Sequence, residues 1–313
     1  MMATLVERAF AREGWLFERK LDGERCLALK LGADVRLFSR NQTPLNGTYP
    51  ELVEALAAQD SASFAVDGEV VAFEGRQTSF SRLQRRMQIT DPRQARLSDT
   101  PVFYYAFDLL HFDGYDTTCL PLRERKSLLR PALRWGTPLR YLPHRNTVGD
   151  LLYADACHWG WEGVMAKRAE SLYVPGRSRD WLKFKCLTRQ EFLVVGYTDP
   201  GGGRQGFGAL VLAERRDDAL VYVGRVGTGF DEAALLRIAA QLAPLVTVDS
   251  PLSAGGAAAV AGGSRWSRGS TRGVHWVDPA FLADVAFSEW TGDGHLRHPR
   301  FLGLRPAGAA PAA

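Results

Sequence analysis

Lysine is nearly missing from this chain. Six lysines stand against 33 arginines in 313 residues, and four of the six, Lys20, Lys167, Lys183 and Lys185, fall inside three short charged strings. Arginine keeps its proton in any protein environment, whereas burial or a nearby cation can push lysine toward a neutral, nucleophilic amine. A sequence that otherwise chooses arginine therefore marks where amine chemistry or a compact point charge is needed. Cysteine is scarce too. Cys26, Cys119, Cys157 and Cys186 are widely spaced and form no C-x-x-C pair, which argues against a zinc module or a disulfide framework and predicts four small buried thiols in a reducing compartment. No apolar run approaches the roughly 18 residues that span a bilayer. The first residues carry Glu7 and Glu13 in place of a signal-peptide core, so a soluble, intracellular protein is expected. Residues 201–208 are rich in glycine but lack the lysine of a phosphate-binding P-loop. A flexible hairpin is expected there, with Arg204 available to a nucleic-acid backbone. His295 and His298 have zinc-like spacing but no further ligands close in sequence, which fits a turn better than a metal site.

What is present suggests two domains. The length and the 46% hydrophobic content allow a proper core, at roughly 100–200 residues per domain. The net charge is only +4, but from Arg189 onward 12 arginines balance 12 acidic residues, so the whole excess lies before that point. Polyanion binding shows as a local basic patch, and the first part of the chain is the better candidate for holding phosphates.

Periodicity places strands at 15–20, 26–30 and 35–39, with Asp22-Gly23 as the turn after Lys20. Helices are expected at 49–59, 79–88, 123–133 and 150–159, and further strands at 63–73, 101–110, 163–167 and 181–186. Two antiparallel sheets with helices outside is the resulting architecture. After Cys186, strands at 192–197, 209–214, 220–225 and 275–277, with one helix at 231–242, suggest a small β-barrel of the OB type. Residues 253–273, rich in Ala, Gly and Ser, read as a mobile loop in which Arg265, Trp266 and Arg268 could meet a substrate.

The charged strings support one chemistry. Asp67-Gly68-Glu69 puts a carboxylate at a strand edge, and Glu162-Gly163 puts a second just before another strand. Two carboxylates converging with phosphates are a usual way to hold Mg²⁺, which keeps several waters, and the expected substrate is a nucleoside triphosphate. Lys183 and Lys185 share one face of their strand, where they would neutralise phosphate and disfavour the charged form of Lys20.

In order and spacing these strings resemble the covalent nucleotidyltransferases, the superfamily of ATP-dependent DNA ligases, RNA ligases and mRNA capping enzymes. The lysine-x-aspartate-glycine motif with its following arginine is matched by Lys20, Asp22, Gly23 and Arg25. The next motifs are matched by Asp67-Gly68-Glu69, by Tyr105-Ala106-Phe107-Asp108, by Glu162-Gly163 and by Lys183 with Lys185. Phe38-Ser39-Arg40-Asn41, the string from Glu162 to Lys167, and the two strings at 285–291 and 296–301 look most like the ligase module of bacterial non-homologous end-joining enzymes.

The resemblance implies an α+β fold: a nucleotidyltransferase domain of antiparallel sheets with flanking helices over 1–188, an OB-fold barrel over 189–306, and a disordered tail over 307–313. It implies ATP and Mg²⁺ or Mn²⁺ as cofactors and a three-step reaction through lysyl-AMP on Lys20 and adenylylated DNA. By carry-over Glu18 reads the adenine amino group, Phe107 stacks on the base, and Met165 or Val164 packs its other face. Arg25 and Glu69 hold the ribose, Glu69 and Glu162 the metal, and Lys183 and Lys185 the α-phosphate. Arg40 takes the nick phosphate. Nicked or broken duplex DNA is the expected partner, with a Ku-like end-binding protein and a repair polymerase recruiting a monomeric ligase in the bacterial cytoplasm, at the nucleoid. Lys20 lies so near the first residue that no separate N-terminal DNA-binding domain is expected.

The chain departs from the family at its last motif. The usual arginine-x-aspartate-lysine is replaced by Arg305-Pro306-Ala307-Gly308, and no lysine follows Lys185. Arg297, Arg300 and Arg305 remain as cations for the pyrophosphate. An RNA ligase, a GTP-dependent capping enzyme and a catalytically impaired end-binding protein are the alternatives.

Overall fold

Stretches of apolar residues alternating with charged ones build most of this chain into strands, and the glycines and prolines between them set the turns. The computed structural model describes residues 1–6, 8–253, 255–261 and 273–308. Its two compact units are Met1–Cys186 and Leu187–Ala313.

The first unit runs β1 (Met2–Leu5), β2 (Trp15–Lys20), β3 (Glu24–Leu31), β4 (Asp34–Ser39), α1 (Pro50–Ala57), β5 (Ser63–Glu74), α2 (Phe80–Met87), β6 (Val102–Phe112), α3 (Leu122–Ala132), β7 (Leu139–Tyr141), β8 (His144–Asn146), α4 (Gly149–His158), β9 (Gly163–Arg168) and β10 (Arg177–Lys185). One sheet has the order β1-β10-β9-β2-β8, the other β4-β3-β5-β6 with β7 beside β6. The pairings are antiparallel except β1 with β10 and β6 with β7, where the expectation was of antiparallel sheets alone. Both exceptions join short strands to partners far along the chain, and periodicity within a segment carries no trace of such a pairing.

Helix starts follow their caps. Ser79 accepts from the Arg82 N–H at the head of α2, and Pro50 opens α1. The larger core lies between the second sheet and its helices, with Leu37, Leu52, Leu56, Val66, Leu83 and Leu109 fully buried. A smaller core packs Phe17, Val164, Ala166 and Phe184 of the first sheet on Leu152 and Ala156 of α4.

The second unit contains β11 (Thr188–Thr198), β12 (Leu210–Arg216), β13 (Ala219–Val226), α5 (Glu232–Leu242), β14 (Val274–Val277), β15 (Phe281–Phe287), β16 (Glu289–Trp290), β17 (Leu296–Arg297) and β18 (Arg300–Pro306). Strand β11 is the spine of this OB-type barrel. One edge bonds β12; the other bonds β15 through its first half and β14 through its last residues, and β15 in turn pairs with β18. Asp231 caps α5 by accepting from the Ala234 N–H at 2.7 Å, and Leu235, Ile238 and Leu242 seal the barrel core. Strands β15 and β18 carry apolar residues without clean alternation, and β18 contains a glycine and ends in proline. This is why they did not read as strands.

Four expectations change here. Cys157 at the end of α4 and Cys186 just after β10 form a disulfide, with Cα atoms 5.2 Å apart, and Cys119 is exposed, so Cys26 alone is a buried thiol. The two bonded cysteines are 29 residues apart, and the strand order, not the spacing, brings them together. The expected loop over 253–273 contains the helix Gly256–Ala261, whose Val260 is fully buried; Arg265, Trp266 and Arg268 lie outside the described residues. Of the expected tail, Ala307 donates its N–H to the Ala280 carbonyl, and residues 309–313 lie outside the description. Arg204, expected at a nucleic-acid backbone, donates to the Gly227 carbonyl at 2.8 Å and stacks on Phe230.

Candidate active site

Register decides which side chains share a face of the first sheet. Gly163 of β9 stands opposite Lys20 of β2 on one side and Lys185 of β10 on the other; Met165 likewise stands between Glu18 and Lys183. With a period of two, Glu18, Lys20, Met165, Lys167, Lys183 and Lys185 all project from one face. The alternate residues Phe17, Val164 and Phe184 point into the small core on α4. Burial of that apolar face therefore holds three strands of catalytic-type side chains in a fixed array.

Two glycines are required by close approach. At Gly163 φ is +147° and an added Cβ would lie 1.9 Å from the Phe184 carbonyl oxygen, so any side chain would force β9 away from β10. At Gly68 a Cβ would stand 2.5 Å from the Tyr104 ring, whose hydroxyl donates to the carbonyls of Cys26 and Val66 at 3.0 and 2.9 Å. Asp22 is a different kind of anchor. It accepts from the Phe80 N–H at 3.0 Å, tying the turn after Lys20 to the head of α2.

Lys20 donates to one carboxylate oxygen of Glu162, and Lys185 lies 3.3 Å from the other. Burial alone would raise the Glu162 carboxyl, but these two ammonium groups hold it below the usual range. Lys183 is pulled down by burial and by the positive charges of Lys20 and Lys185. Glu69 behaves oppositely. It is partly exposed toward the cavity, yet the surrounding protein pushes its carboxyl up to about 8, against Lys20 and Arg25 and with Glu162 adding repulsion. Next to it, Arg25 makes a two-point contact with Asp67, 2.9 and 2.5 Å, and the Tyr173 hydroxyl donates to the same carboxylate at 2.9 Å.

At the other end of the array Glu18 is closed off between two lysines. Lys126 of α3 donates to its Oε1 at 2.5 Å, and Lys167 stands 2.6 Å from its Oε2. Burial by itself would raise the Glu18 carboxyl, but the two ammonium groups hold it below its ordinary value. Lys167 also sits over the rings of Phe107 and Trp181, 4.2 and 4.0 Å from their centroids. A cavity of about 600 Å³ has Glu18, Lys20, Arg25, Arg40, Glu69, Phe107, Met165, Lys167 and Lys183 in its wall. Glu162 and Lys185 are not part of that wall; Glu162 touches Lys20, which is.

The structure thus places eight of the thirteen sequence-predicted residues in the wall of one cavity in the first unit, with Glu162 and Lys185 joined to that wall through Lys20. Arg297, Arg300 and Arg305 lie in the second unit, on β17 and β18. There Arg297 pairs with Glu289, and Arg305 holds the Glu191 carboxylate at two points, 2.5 and 2.6 Å. Sequence reasoning missed Lys126 and Tyr173, and it placed Asp67 and Trp181 inside motif strings without giving either a role. The rarity of lysine was a usable signal for Lys126, which is one of only six; the remaining lysine, Lys30, is structural and donates to the carbonyls of Gln59 and Ser61.

Glu69 and Glu162 are close enough to repel each other, but no group of three or more His, Cys, Asp or Glu that could hold a metal occurs among the described residues. A donor set of two carboxylates fits a divalent cation that arrives with phosphates and keeps its waters; it does not fit a preformed protein cage.

Residues 1–185 match the profile of the ATP dependent DNA ligase domain, and residues 203–307 match that of the ATP dependent DNA ligase C terminal region. The multifunctional non-homologous end joining protein LigD of Pseudomonas aeruginosa is 37% identical over 314 aligned positions, which cover 97% of this chain and 35% of that protein. The DNA ligase C of Mycobacterium tuberculosis is 30% identical over 93% of this chain and 85% of its own length. A solved ligase from a study of minimal Lig E DNA ligases shares the fold, with a TM-score of 0.59 at 16% identity over 97% of this chain. The chain spans about a third of the length of its end-joining relatives. With both ligase profiles in sequence order and the lysine motif at the wall of the cavity, this chain belongs to the ATP-dependent DNA ligases.

Proposed function

We propose that this chain seals 5′-phosphate/3′-hydroxyl breaks in duplex DNA at the expense of ATP, in the joining of broken ends. The observation that carries the reading is Lys20 at the wall of the cavity, ion-paired to Glu162 and flanked by Lys183 and Lys185. In the first step the neutral Lys20 amine attacks the α-phosphorus of ATP, the bond to the pyrophosphate breaks, and a lysyl-AMP phosphoramidate forms. AMP then passes to the DNA 5′-phosphate, and the 3′-hydroxyl displaces it.

Each wall residue has a role in this reading. Glu162 aligns the amine, and Lys183 and Lys185 take the charge of the α-phosphate. Glu18 reads the adenine amino group between Phe107 and Met165, while Arg25 and Glu69 face the ribose and Arg40 takes the nick phosphate. Glu69 and Glu162 would hold the cation, which when bound stabilises charge on the reacting phosphates. Residues 1–188 act as the adenylylating domain and the OB barrel of 189–306 as the DNA-facing one, with Arg297, Arg300 and Arg305 supplying charge toward the pyrophosphate. A Ku-like end-binding protein and a repair polymerase are the partners of such a ligase, which acts as a monomer.

The test is incubation with labelled ATP or GTP and a divalent cation, followed by denaturing electrophoresis of the wild type and Lys20→Ala. Label from ATP that is absent in the variant and moves onto nicked DNA is the expected result; label from GTP alone would sink the reading in favour of a capping enzyme.

A further inference from the structure

We propose that Lys126, on α3 and outside every motif, is the positioning residue that sets Glu18 to accept adenine and refuse guanine. This rests on the reading of Glu18 as the group that meets the purine. An ammonium has three N–H donors, and Lys126 directs them at three acceptors: Glu18 Oε1 at 2.5 Å, the Leu142 carbonyl at 2.9 Å and the Phe107 carbonyl at 3.4 Å. Glu18, Phe107 and Leu142 all belong to the wall of the cavity. One buried cation therefore ties β2, β6 and the segment after β7 together at the base end of the site. Both side chains of the pair are 0% exposed, so water does not compete for either.

The chemistry of selection follows from the charge state. A carboxylate only accepts hydrogen bonds, and its two oxygens offer about four lone-pair positions; both oxygens of Glu18 are closed off by lysines, so an incoming amino group reaches Oε2 by displacing Lys167 while Lys126 keeps Oε1. Adenine presents an amino group, a donor, where guanine presents a carbonyl oxygen, an acceptor. An ionised Glu18 attracts the first and repels the second. A protonated Glu18 could donate to the guanine oxygen and would lose the distinction. Burial favours that protonated form, and Lys126 and Lys167 oppose it. Lys167 is already engaged with two aromatic rings, which leaves Lys126 as the partner that fixes where the carboxylate points.

Removal of Lys126 does not strand a charge. The cluster now holds one carboxylate and two ammonium groups, and Lys126→Met leaves Glu18 paired with Lys167. The experiment is single-turnover lysine adenylylation by the full chain, with ATP and with GTP, for the wild type, Lys126→Met and Lys126→Arg. For Lys126→Met we expect the apparent KM for ATP to rise about tenfold or more with kcat within about threefold, and the preference for ATP over GTP to fall about tenfold or more. That preference should recover as pH is raised, because a higher pH returns Glu18 to its ionised form. Lys126→Arg, which keeps the charge, should retain the preference within about threefold.

Unchanged KM and preference in Lys126→Met would overturn the proposal, as would a fall in kcat with the preference intact, which is what a purely structural residue would give. If Lys126→Met does not yield folded protein by thermal melting, Lys126→Arg decides: loss of the ATP preference despite the retained charge overturns the proposal. Absence of labelling in the wild type itself, or labelling that survives Lys20→Ala, would instead remove the reading of the site on which the proposal stands.

Discussion

Glu162 holds Lys20 with one carboxylate oxygen while Lys185 stands 3.3 Å from the other. The ammonium that must become a nucleophile is thus aligned by a carboxylate that its neighbours keep ionised. Replacing Glu162 by Gln keeps an acceptor but removes the charge from this bond. Charge-assisted hydrogen bonds are about twice as strong as neutral ones, and the lysine adenylylation rate of Glu162→Gln is expected to fall by about 100-fold with KM for ATP within about threefold. Rapid-quench measurement of lysyl-AMP formation checks this; a rise in KM alone would assign Glu162 to binding and not to alignment.

Glu69 ties the cation requirement to pH. Its carboxyl is pushed up to about 8 by its surroundings, so at neutral pH the proton must leave before a cation can bind there. The sign is that protons compete with the metal below about pH 8, so apparent Mg²⁺ affinity should rise with pH and level off above that value. Titrating Mg²⁺ from pH 6.5 to 8.5 should show this, and Glu69→Gln should flatten the dependence. A flat profile in the wild type would remove Glu69 from the cation site.

The altered last motif should slow the first step of the reaction selectively. Ala307 and Gly308 stand where the family carries aspartate and lysine, and Arg305 is engaged with Glu191. Lysine adenylylation is expected to be slow while sealing of pre-adenylylated nicks is comparatively spared, and Ala307→Asp combined with Gly308→Lys should speed the first step. Single-turnover rates for the two steps, measured separately, test the split; equal and normal rates would refute it.

The Cys157–Cys186 disulfide closes a loop across 29 residues, for which chain entropy gives a stabilisation on the order of 3–4 kcal/mol. Cys157→Ser, or a dithiol reductant, should lower the thermal midpoint of the wild type, and the reductant should have no effect on the variant. Melting curves with and without reductant decide this, and identical curves for the wild type would show the bond to be dispensable.

Much of the site is legible in short strings, because each string is one strand end or one turn. Lys20 with Asp22 and Gly23, Glu162 with Gly163, and Lys183 with Lys185 each report their own local geometry. What the strings do not report is who faces whom. That Glu18 is closed between Lys126 and Lys167 depends on α3, whose Lys126 lies 108 positions from Glu18 in sequence and belongs to no motif. The parallel pairing of β1 with β10 and the disulfide were illegible for the same reason. Strands β15 and β18 were hidden by a weaker alternation.

The amino-acid sequence by itself determined the chemistry available to this protein: a rare lysine in a strand-end turn, two carboxylates beside glycines, and a pair of lysines on one face, all of which act over a few residues. The tertiary structure decided the partnerships among those charges. Ion pairing and proton affinity fall off within a few ångströms and depend on burial, so they are set only when sheet register and helix packing bring distant residues into contact.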